Sequence, residues 1–214
     1  MDTCGRRGPD RGQALPIYVL VVAGLLFAAL AFFVIGQASV TRSDAQGAAD
    51  AAALAAGREA RDRVLFKLDL AEVKPEDWKK IVDGEFFKAG EACAAAQAFA
   101  LKNDATAECE PSLPRFTVTV ETKRTVGDSV IPGTSDMHGT AKATALIEPK
   151  CRLGSAPTPG PTPTPSGGGG SPAPTPTTST VNFQCGEELV KLDPLNPGSL
   201  TALTRKLFSV RLVG

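Results

Sequence analysis

ALPIYVLVVAGLLFAALAFFVI, residues Ala14 to Ile35, decides how the rest of the chain is read. No charge interrupts it, and the next charged residue is Arg42. Its 22 residues as a helix reach ~33 Å at ~1.5 Å per residue. A bilayer hydrocarbon core is ~30 Å thick. Backbone polar groups find no water in lipid, so such a stretch is expected to be helical. Pro16 falls in the first turn, where its missing N–H breaks no helical bond. A cleaved signal peptide is the alternative, with Gly36-Gln37-Ala38 as small residues at a cleavage site. Signal-peptide apolar cores run only ~7–15 residues, so a retained anchor, residues 14–40, is the expectation.

Outward from this span, Arg6, Arg7 and Arg11 lie on the N-terminal side, and Arg42 on the other side is soon balanced by Asp44 and Asp50. The positive-inside rule puts the tail, residues 1–13, in the cytoplasm and the remainder outside. The formal net charge over 214 residues is zero. No basic excess is available to hold nucleic acid. Without the tail, the span and a low-complexity stretch, roughly 140 residues remain, enough for one modest domain.

Past the span, Thr41 to Leu70 has no proline and is rich in strong helix formers. Ala45, Ala48, Ala52 and Ala56 recur at spacings of three and four and share one face, where another helix can approach closely. Arg42, Gln46 and Asp50 form an i, i+4 ladder on a different face. One long helix, half in lipid and half out, is expected, with the alanines as a helix-association stripe. A short amphipathic helix packed on its own domain would carry the same stripe.

Arg11-Gly12-Gln13-Ala14, the apolar span and the box Ala48-Ala49-Asp50-Ala51-Ala52-Ala53-Leu54-Ala55-Ala56 together resemble the N-terminal region of TadE/TadG-like proteins of the Flp (tight adherence) pilus-assembly system. The resemblance covers about residues 11 to 57. It implies a membrane-anchored, single-pass assembly component whose partners are other pilus or pilus-assembly membrane proteins and the lipid bilayer, and it does not imply an enzyme. One departure is informative. Prepilin-like proteins are cut after a Gly with Glu five residues beyond, whereas the fifth residue after Gly12 is Ile17. That leans toward the uncleaved TadG-like type.

Further along, Pro75-Glu76-Asp77 predicts a helix start, with Trp78, Ile81 and Val82 on its apolar side and a break at Asp83-Gly84. Glu85 to Lys102 reads as a second helix, with Phe86, Cys93 and Phe99 apolar and Asn103-Asp104 as its stop. Cys109 follows one short loop later. The period then becomes two. Phe116, Val118 and Val120 face one way, and Ala141, Ala143, Ala145 and Ile147 repeat the pattern. Two antiparallel strands joined by a loop are expected there. Residues 155–180 are proline, threonine, glycine and serine, a composition that predicts disorder and permits O-linked sugars. Residues 181–214 are expected to complete the domain of residues 41–154, with a short helix over Ser199 to Lys206 and a strand through Phe208, Val210 and Leu212. The predicted class is therefore α+β: a transmembrane helix continuing into an alanine-rich helix, then a small exported domain of helices and antiparallel sheet, pilin-like by analogy of architecture.

Four cysteines follow the span, and an even number of exported cysteines suggests disulfides. Three connectivities are possible. Cys93–Cys109 and Cys151–Cys185 are preferred as nearest in sequence, and four reduced thiols are the alternative. No Cys/His spacing suggests zinc. His138 is the only histidine, and no GxSxG, HExxH, P-loop or dinucleotide motif is present. No catalytic residue, cofactor or metal is assigned. An envelope-anchored binding or stalk protein unrelated to pili is the alternative function.

Overall fold

The computed structural model describes residues 14–125, 127, 135–154 and 180–214. The tail, most of the loop between the two expected strands and the Pro/Thr/Gly/Ser stretch lie outside the described residues.

One helix, α1, runs unbroken over Ala14–Arg63. At ~1.5 Å per residue it is ~75 Å long. Its first half is bare: Phe27 and Phe32 are 75% and 77% exposed. It is the one described helix long and apolar enough to cross a membrane. Its second half is the spine of a folded head. Ala45, Ala48, Ala49, Ala52, Ala53, Ala56 and Ala60 are all buried. The helix stops at Arg63, short of the expected Leu70. Val64 and Leu65 are both buried, and i→i+3 turns, Phe66 N–H to Arg63 O and Leu68 N–H to Leu65 O, carry the chain over the end of the core.

Helix α2 (Pro75–Asp83) starts on the expected proline, buries Trp78, Ile81 and Val82, and ends on Gly84 at φ 87°. Helix α3 occupies Gly90–Lys102, so the expected start at Glu85 is corrected by five residues. That segment is used instead to bring Phe87 inward, where its ring meets Phe208 edge-on at 5.2 Å. The inward face of α3 is made of its small residues. Ala92, Ala96 and Ala100 are buried, while Phe99 is 42% exposed with Lys102 Nζ over its ring. α3 packs beside α1, and alanines on both helices leave no room for a ring.

Strands β1 (Ala105–Ser112), β2 (Arg115–Thr125), β3 (His138–Pro149) and β7 (Phe208–Val213) form an antiparallel sheet in the order β1-β2-β3-β7. Phe116, Val118, Val120, Ala145 and Ile147 turn inward under α1. β1, which carries Cys109, has no counterpart among the expected strands. Its mostly exposed residues gave no apolar alternation to read. The C-terminal strand does join the sheet, pairing Val210 with Ile147. It follows α4 (Leu200–Leu207), which Ser199 caps by accepting from Ala202 N–H at 3.3 Å. A second small sheet was not foreseen: β4 (Arg152–Leu153), β5 (Val181–Cys185) and β6 (Glu188–Leu192), in that order. Phe183 on β5 is fully buried against Trp78, at 5.9 Å between ring centroids.

Helix and sheet approach each other closely at two glycines. A Cβ on Gly57 would stand 2.7 Å from Val210 Cγ1. One on Gly139 would stand 2.7 Å from the carbonyl oxygen of Thr41.

Candidate functional site

The four alanines of the expected association stripe sit at 0%, 2%, 0% and 0% exposure for Ala45, Ala48, Ala52 and Ala56. The surfaces that cover them belong to the same chain: α3 on one side and the sheet on the other. This corrects their assignment to an external partner. Small side chains do allow close approach here, but the approaching elements are the chain's own. Gln46 Nε2 donates to Asp50 Oδ1 at 2.8 Å on the ladder expected beside them.

Cys93 and Cys109 are bonded, with Cα atoms 5.5 Å apart, joining α3 to β1. Cys151 and Cys185 are bonded, with Cα atoms 4.0 Å apart. The second bond lies where the chain leaves for, and returns from, residues 155–179. Gly154 N–H donates to Asn182 O at 2.8 Å beside it, so both ends of the insertion are pinned.

His138 begins β3 where the pairing with β2 slips between Glu121 and Thr125. Its Nδ1 donates to Thr122 O at 2.6 Å, and Gly139 N–H donates to Thr122 Oγ1 at 2.9 Å. The imidazole closes an irregular strand end. Among the described residues, no three His, Cys, Asp or Glu side chains converge as a metal site.

The residues left open are of two kinds. The first is the surface of α1 from Leu15 to Phe33, exposed at every residue. The second is a groove of about 560 Å³ where that helix meets the head. Phe32, Phe33, Gly36, Gln37, Val40 and Asp44 form its helix wall. Asn103, Asp104, Thr122, Arg124 and Thr125 form the other wall. Gln37 Oε1 is buried there with no donor among the described residues. Arg124 reaches Asp44 only at 4.0 Å. Sequence reasoning missed this groove because its head wall comes from residues far apart in the chain. The uninterrupted helix across residue 40 was the only available signal.

A family model described as Flp pilus-assembly TadE/G-like matches residues 12–59. The match takes in the apolar half of α1 and most of its buried half, and stops before α2. No curated protein and no solved structure matches the chain.

Proposed function

We propose that the chain is a single-pass, membrane-anchored, non-enzymatic component of Flp-type pilus assembly. In this reading its N-terminus is cytoplasmic and its α+β head lies outside. The observation that carries it is the coincidence of the family match, residues 12–59, with one helix that is bare and apolar in its first half and buried in its second. The first half supplies the anchor. The second half makes the anchor and the head one rigid piece.

Association with partner membrane proteins then uses the bare half of α1, since the alanine stripe is already covered. Gly24 and Ala28 are four apart on that half, and a Cβ at Gly24 would meet nothing within 4 Å. Small residues at this spacing let membrane helices pack closely. The test is deletion of the gene, counting surface pili. Pili are expected to be lost, to return with the wild-type chain, and to return poorly with Gly24→Leu. Normal pili in the deletion strain would remove the reading.

A further inference from the structure

If Ala14–Ile35 crosses the bilayer, as proposed above, the unbroken helix sets the height of the head. Ile35 ends the apolar run, and Thr41 is where β3 first closes on α1, at Gly139. The six helical steps from Ile35 to Thr41 rise ~9 Å. A headgroup layer adds only ~5–7 Å on each side of the ~30 Å core. The near end of the head therefore stands at the headgroups, with no stalk between.

That near end is made of the last turn of α3, the start of β1, the end of β2 and the start of β3. It exposes Leu101 (53%) and Met137 (57%). Its described charged residues are Arg42, Lys102, Lys123 and Arg124 against Asp44, Asp104, Glu121 and Asp136, all exposed. The groove opens here, and its helix wall, Phe32, Phe33 and Val40, continues the surface that faces lipid below.

We infer that this end of the head is a second, peripheral membrane contact, and that the groove seats one phospholipid headgroup. Arg124 is placed for the phosphate, since a guanidinium is suited to paired hydrogen bonds with such oxygens. Gln37 Oε1 and the carboxylates of Asp44 and Asp104 offer only acceptors. They suit a headgroup carrying N–H or O–H donors, as ethanolamine and glycerol do. The apolar wall takes the first carbons of the chains.

The test uses the full chain in a phosphatidylethanolamine–phosphatidylglycerol bilayer that carries phospholipid with a nitroxide on the headgroup. The nitroxide quenches nearby tryptophan. The native Trp78 is buried and packs on the second small sheet, so the wild type supplies the baseline. Leu101→Trp is expected to be quenched well beyond that baseline. Adding Arg124→Glu should lower the occupancy of the groove by a headgroup about fivefold or more, the factor expected for one surface cation at an anionic membrane, and the quenching at position 101 with it. A separate Phe27→Trp variant, read with an acyl-chain nitroxide, reports the span itself. Quenching at position 27 but none above baseline at position 101 would overturn the contact while leaving the anchor standing. No quenching at position 27 would overturn the anchor and the contact together. Quenching at position 101 that ignores Arg124→Glu would overturn the headgroup seat.

Discussion

Single side chains decide how near the helix comes to the sheet. Gly57 lies in the buried half of α1, with Val210 Cγ1 2.7 Å from where a Cβ would be. Gly47, ten residues earlier on the same helix, has nothing within 4 Å. Gly57→Leu should therefore overpack the helix–sheet interface and destabilise the head by about 1–3 kcal/mol or more. Gly47→Ala should stabilise it by up to ~1 kcal/mol through helix propensity alone. Urea unfolding in detergent checks both. Glu148 makes two 2.7 Å contacts with Arg211, across β3 and β7. Hydrogen bonds from Arg211 hold the Glu148 carboxyl below the usual carboxylate range. Its contribution is thus fully present above the ordinary glutamate value of ~4.3 and is lost as pH falls through the lowered folded value. Amide exchange in β7 should accelerate over that acidic window, and Glu148→Gln should flatten the dependence.

At the scale of elements, the two disulfides close loops with sequence separations of 16 and 34. In the chain-entropy model these contribute ~3 and ~4 kcal/mol. Their positions differ in consequence. Cys93–Cys109 joins α3 to its neighbour β1, an already packed pair. Cys151–Cys185 holds β4 to β5 in a sheet of only three short strands. A double Cys151→Ser and Cys185→Ser variant should lose amide protection in β5 and β6, with β2 and β3 little changed. Equal loss in β2 and β3 would show that the two sheets open as one unit. The edge-on contact of Trp78 with Phe183 makes Trp78 fluorescence a second readout of the small sheet.

For the molecule as a whole, the strand that completes the main sheet comes after the insertion. Leu153 pairs with Phe183 across its two ends, and Gly154 donates to Asn182 O. Those ends are held by hydrogen bonds and a disulfide that do not depend on what connects them. Replacing residues 155–179 with a short glycine–serine linker should leave the melting temperature of the head unchanged or slightly raised. Shortening a loop severalfold changes closure entropy by only ~1 kcal/mol. A large fall would mean that the insertion packs on the head.

The sequence by itself determined the elements whose signal is local. The apolar run and the proline-free stretch after it specified α1. Pro75 and Gly84 bounded α2, and alternation exposed β2, β3 and β7. Each rests on periodicity or on backbone restrictions that neighbouring residues carry. β1 and the β5–β6 hairpin were not read as strands. β1 is an edge strand with little to bury. The hairpin's cue, Gly186-Glu187 between two alternating runs, is weaker than a Gly-rich turn. Only the tertiary structure decided what meets the alanine face. Spacing shows that one side of a helix is small, but which surface covers it depends on α3 and the strands folding back over it. The same holds for the groove at the base of the head, whose walls meet because α3 returns antiparallel to α1 and ends beside the turns where α1 first becomes bare.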